Sequence, residues 1–112
     1  MIPTIPTWTI KNHIKGNTFN AREITFPFDI TNCRIDMQFR KQANDIIVFA
    51  WSTEDDTFDK ISTTKIVMNQ RILDVQPAVY ISDLQVIFQN ENVITYFKVR
   101  LEVEQDITIV QV

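Results

Sequence analysis

The apolar residues of this chain are overwhelmingly β-branched, and that choice limits the fold more than any other feature. Isoleucine and valine number 27 of 112 residues, whereas leucine and alanine together number 7. A β-branched side chain loses rotamer freedom on a helix but packs well on a pleated surface. Twelve threonines and eight phenylalanines push the same way. The expectation is an all-β fold.

Periodicity agrees. From Tyr96 to Val103, Phe97, Val99, Leu101 and Val103 alternate with Tyr96, Lys98, Arg100 and Glu102, the period of a strand with one buried face. Tyr80, Leu84, Val86 and Phe88 likewise alternate with Asp83, Gln85 and Ile87. Gln89-Asn90-Glu91-Asn92 between them is turn chemistry, with asparagine suited to a left-handed position. Residues 79–89 and 93–104 therefore read as a long hairpin. Ile35, Met37 and Phe39 point inward from residues 34–40, Asn44-Asp45 turns the chain, and the apolar run Ile46 to Trp51 suits a deeply buried strand. Trp8 to Ile14 and Phe19 to Phe26 read as a first hairpin about Lys15-Gly16-Asn17, and Ile66 to Leu73 as one short strand. Strands spaced by about ten residues with polar turns between them predict an immunoglobulin-like antiparallel β-sandwich of about seven strands with little helix. One helical turn is expected at residues 73–77, ended by Pro77. Ser52 to Lys60, with Glu54, Asp55, Asp56 and Asp59, is expected to be an exposed, mobile loop.

The chain length fits a single domain, residues 1–112, with residues 1–7 (two Ile-Pro-Thr repeats in sequence, after Met1) as an extended arm. Cys33 is the only cysteine, which excludes an internal disulfide and an all-cysteine metal site; it reads as a small buried hydrophobe. The first residues lack a basic segment followed by an apolar run, and no stretch approaches a membrane helix. The expectation is a protein made and kept in a cytoplasm unless something carries it out, with no membrane partner. A net charge of −3 with interspersed signs leaves no footprint for nucleic acid.

The chemistry-bearing residues are few. A triad needs a base beside its nucleophile, and the only histidine, His13, stands among Lys11 and Lys15 as a surface residue without a task. The acidic loop lacks the alternating oxygen ligands and central glycine of a calcium loop. One glycine in the whole chain cannot build a phosphate cradle. No catalytic residue, cofactor or metal is therefore expected, and the chain reads as a non-enzyme. Trp51 is most simply core. Trp8 could anchor an interface, and Tyr96, projecting away from the inward row, is the one clear candidate for an exposed aromatic platform.

Several blocks then resemble a known family. Val79-Tyr80-Ile81-Ser82-Asp83-Leu84-Gln85-Val86, Val93-Ile94-Thr95-Tyr96 and Val103-Glu104-Gln105-Asp106-Ile107-Thr108 are similar to the closing hairpin of the small β-sandwich domains of tailed-phage baseplate and tail proteins. The N-terminal domain of the siphovirus baseplate upper protein is of this kind. Lys15-Gly16-Asn17-Thr18-Phe19, Asp29-Ile30-Thr31-Asn32 and the strand Ile35 to Arg40 resemble earlier blocks in the same order. The resemblance implies a non-enzymatic virion component that docks with other phage tail or baseplate proteins, with homo-oligomerisation as one route. It also places Asp29 as the cap of a tight turn. The alternative from a different class is a carbohydrate-binding or adhesin-like sandwich.

Overall fold

The computed structural model describes residues 6–105, which form ten strands and no helix. They are β1 (Thr7–Ile14), β2 (Thr18–Phe19), β3 (Arg22–Thr25), β4 (Arg34–Phe39), β5 (Phe49–Ser52), β6 (Phe58–Lys60), β7 (Lys65–Met68), β8 (Arg71–Ile72), β9 (Ala78–Ile87) and β10 (Val93–Glu104). Seven of these span four residues or more. One layer is a five-stranded sheet in the order β1-β10-β9-β4-β5; the other combines β3-β7-β6 with the short pair β2-β8. All neighbours are antiparallel except β1, which runs parallel to β10.

The two layers close on one core. Ile35, Met37 and Phe39 of β4 and Tyr80, Leu84 and Val86 of β9 meet Ile66 and Met68 of β7 and Phe58 of β6, all buried. Each such side chain contributes roughly 1.5–3 kcal/mol by leaving water. Trp51 sits at the centre, 0 % exposed, against Phe19, Phe39 and Phe49. Its indole N–H donates to the Asn69 carbonyl at 3.0 Å, the partner a buried indole requires.

The strand order is immunoglobulin-like. In that fold B, E and D form one sheet and C, F and G the other, with C′ added at the C edge in variable-type domains. Taking β3, β4, β5, β6, β7, β9 and β10 as B, C, C′, D, E, F and G reproduces both sheets. A tyrosine corner accompanies it: the Tyr80 hydroxyl, near the start of β9, donates to the Gln76 carbonyl at 2.5 Å. Two residues on, where antibody domains carry a disulfide cysteine, the chain has buried Ser82.

The last hairpin forms as expected, as does the β4–β5 hairpin. Several other local expectations are overturned. Trp8 to Ile14 does not pair with Phe19 to Phe26. Instead, β1 crosses to the edge of β10, placing Trp8 and Ile10 beside buried Val99 and Leu101. Phe19 belongs to β2, which pairs with β8, and β3 pairs with β7. The turn at Lys15-Gly16-Asn17 is present, with Gly16 at φ 86° and Asn17 N–H donating to Ile14, but it joins two layers rather than two partners. Residues 66–73 break into β7 and β8 at Asn69, whose side chain donates to Asp59 and the Asp56 carbonyl.

Residues 73–77 form no helical turn. Gly16 N–H donates to the Leu73 carbonyl at 2.8 Å and Leu73 N–H to Asn17, so this backbone is tied to the first turn. Ser52 to Lys60 keeps Glu54, Asp55, Asp56 and Asp59 exposed, as expected, but it crosses between the layers and ends in β6. Asp55 accepts from the Thr57 N–H and hydroxyl, Asp56 takes a left-handed φ of 64°, and Phe58 enters the core. In the β9–β10 turn the left-handed residue is Glu91, φ 70°, while Asn90 caps the turn by accepting from Asn92 N–H. Asp29 caps its turn as expected, accepting from the Thr31 N–H and hydroxyl. Thr7 already belongs to β1, and Pro6 accepts from Lys98 N–H. Residues 1–5 of the expected arm and Asp106, Ile107 and Thr108 lie outside the described residues.

Candidate interaction surface

His13 and Cys33 sit at opposite ends of the sandwich. His13 lies beside Val103, which pairs with Ala78 at the start of β9; Cys33 precedes Arg34, which pairs with Ile87 at its end. The length of β9 between them is about 30 Å at roughly 3.4 Å per residue, so they form no nucleophile–base pair. Cys33 is buried, and burial pushes its thiol pKa up despite the nearby Lys60 ammonium. Among the described residues no group of three His, Cys, Asp or Glu could hold a metal ion.

The outer face of the five-stranded sheet forms a groove of about 820 Å³, lined among others by Gln38 of β4, Arg40 just after it, Asp83 and Gln85 of β9, and Lys98 and Arg100 of β10. Its charges are largely satisfied internally. Arg40 donates to Gln38 and to the Asp45 carbonyl, and Arg100 pairs with Glu102 at 3.0 Å. Asp36 is covered by Arg34 at 2.8 Å and by the Ser52 hydroxyl. Among the described residues no aromatic ring lines this groove.

The apolar surface lies next to it. Ile46, Ile47 and Val48 are 79 %, 46 % and 39 % exposed, contrary to the expectation of a deeply buried strand over residues 46–51. The cause is register. β4 pairs Asp36 to Phe39 with Ser52 to Phe49, and Val48 N–H still donates to the Phe39 carbonyl at 2.8 Å, so Ile46 and Ile47 lie beyond the end of the partner strand and Val48 is the last residue tied to it. Asn44 in the left-handed region, φ 67°, and the Arg40 side chain on the Asp45 carbonyl fold the loop back at this point.

The rest of that edge is closed. The Ala50 carbonyl accepts from Arg71, whose guanidinium also stacks 4.7 Å from the Trp51 ring centroid. Ser52 N–H donates to the Thr57 hydroxyl at 2.7 Å. These side chains occupy backbone groups that would otherwise template another strand. Ile46 to Val48 is therefore the exposed apolar part of an edge whose strand proper is capped.

Trp8 is half-buried, edge-on to Phe97 at 6.0 Å, with the Arg22 guanidinium 5.6 Å from its ring centroid. It closes the side of the sandwich between β1 and β3. Tyr96 does not project outward. A β-bulge between Thr95 and Phe97 turns it against Phe26, Phe28 and Phe97, with ring centroids 4.9, 6.0 and 5.7 Å away. A bulge inserts an unpaired residue and breaks strict alternation. The same device displaces His13, since β1 shifts register between Ile10 and His13. Asn12 adopts φ 61°, and His13 takes the inward place beside Val103 that alternation assigns to Asn12. His13 is thus half-buried against Phe19, not a free surface residue.

Sequence reasoning missed Ile46 to Val48 as surface. The usable signal was the length of the apolar run beyond what the three inward residues of β4 can cover. Compared with protein-family models, curated proteins and solved structures, the chain matches none.

Proposed function

We propose that the chain is a non-enzymatic assembly component of a phage or prophage tail or baseplate, resident in the virion, which docks with neighbouring tail proteins through Ile46 to Val48. The observation that carries the docking role is three consecutive exposed apolar residues on the rim of a well-packed sandwich. Ile46 alone leaves most of an isoleucine in water, a cost that covering by a partner removes. Most exposed single hydrophobic residues need no explanation, but a contiguous run beside a deliberately capped edge is a surface kept open for contact. The tail assignment rests on the family resemblance of the turn and hairpin blocks. The carbohydrate-binding alternative has no supporting feature in the groove, and Tyr96 is engaged with three phenylalanines.

The test is co-expression with the tail proteins encoded beside it, followed by light scattering of the purified material. A complex of defined mass, lost in Ile46→Lys/Ile47→Lys while that variant melts like the parent, is the expected result. No complex with any of those proteins, or one that the double variant forms equally well, would overturn the proposal.

A further inference from the structure

The one histidine occupies an unusual position. Its Nε2 is buried and has no hydrogen-bond partner among the described residues. The imidazole packs against Phe19 with ring centroids 5.7 Å apart. A neutral imidazole tolerates a buried acceptor nitrogen beside a phenyl ring. An imidazolium there would present an N–H donor and a charge with nothing to receive them, which burial makes costly.

The surroundings do little to relieve that cost. On its own strand and the following turn stand Lys11 and Lys15, the latter committed to Asp74 at 2.6 Å. β10 brings Glu102 and Glu104; Glu102 is paired with Arg100. β3 brings Arg22, over the Phe19 ring at 5.6 Å, and β2 contributes only Thr18 and Phe19. His13 takes part in none of the ion pairs of the described residues. Burial accordingly pushes its pKa below the ordinary 6.5, partly offset by the Asn17 backbone.

What His13 holds is a junction. Lys15 N–H donates to the Glu104 carbonyl at 2.8 Å, Gly16 N–H to Leu73 at 2.8 Å, and Leu73 N–H to Asn17 at 3.2 Å. These bonds join β1, β10 and the segment that leads into the tyrosine corner. The bulge at Asn12 separates them from the first half of β1, so this corner can loosen while residues 7–10 stay paired.

We propose that His13 is an acid-sensitive latch at this corner: neutral, it seats residues 13–17 against Phe19, and protonated, it lets the corner open without unfolding the sandwich. With one proton involved, the opening equilibrium changes by at most about tenfold per pH unit.

The test uses the intact chain. NMR titration of the single imidazole is expected to give a pKa below 6.5. Between pH 7 and pH 5, hydrogen exchange corrected for intrinsic rates should accelerate at Lys15, Gly16 and Leu73 while Leu84 in β9 stays protected. In His13→Phe, which keeps an aromatic ring without a titrating nitrogen, that acceleration should vanish. A ring pKa at or above 6.5, no selective acceleration at the corner, or acceleration that persists in folded His13→Phe would each overturn the latch. If His13→Phe does not fold, the wild-type titration and exchange profile decide alone.

Discussion

Replacing Tyr80 by phenylalanine isolates the tyrosine corner. The ring is 0 % exposed and packs edge-on against Phe49 at 5.3 Å, so phenylalanine keeps its packing and loses only the hydroxyl. The bond removed is the short one to the Gln76 carbonyl. Gln76 is exposed, so water can replace the lost donor and no orphaned buried acceptor results. The cost is then that of an ordinary buried hydrogen bond, about 1 kcal/mol. For a domain of this size that lowers Tm by roughly 4–8 °C. Urea unfolding followed by the fluorescence of buried Trp51 would measure it, with an unchanged slope expected. Alkaline pH supplies a second readout. Burial raises the Tyr80 pKa above its ordinary 10.0, so the folded state retains this proton longer than the unfolded chain. Its contribution is complete below pH 10 and falls as pH rises through the folded value; Tyr80→Phe removes that dependence. A variant as stable as the parent would refute the corner as a stabilising bond. A loss of 3 kcal/mol or more would show that the hydroxyl positions the ring rather than merely bonding to Gln76.

Two further substitutions probe backbone placement. Glu91→Gly should stabilise the β9–β10 turn by about 0.5–1 kcal/mol in urea unfolding, because a side chain in the left-handed region costs more than the added freedom of glycine in the unfolded chain. Lys98→Pro should cost about 3 kcal/mol or more and prevent two-state folding at 37 °C. Lys98 lies in a strand paired on both sides, and its N–H donates to Pro6; a native melting curve for that variant would refute the pairing.

Alternation revealed the inner row of β9 and β10 because both strands keep one face in the core over many residues. The resemblance of the Asp29 to Asn32 block placed Asp29 in its turn, and the placement holds because the carboxylate accepts from the Thr31 N–H two residues on. Alternation misplaced Tyr96, which is itself the inserted residue of a bulge, and His13, which follows one, because a bulge leaves no mark in the pattern of apolar side chains. It buried Ile46 to Val48 because an apolar run signals hydrophobicity, while exposure depends on where the partner strand ends. The first hairpin failed for a related reason: a turn signal fixes a reversal of direction, not the strand that receives it.

By itself the amino-acid sequence determined an all-β chain and the inward row of its last hairpin, since these follow from side-chain shape and period. Tertiary structure decided the rest. Only the long-range pairing of β1 with β10 makes His13 half-buried, with a buried nitrogen that has no partner among the described residues. Only the β4–β5 register leaves Ile46 to Val48 in water, and only the meeting of β5 with Arg71 and Thr57 closes the edge beside them. Each depends on residues distant along the chain becoming neighbours, which no local preference encodes.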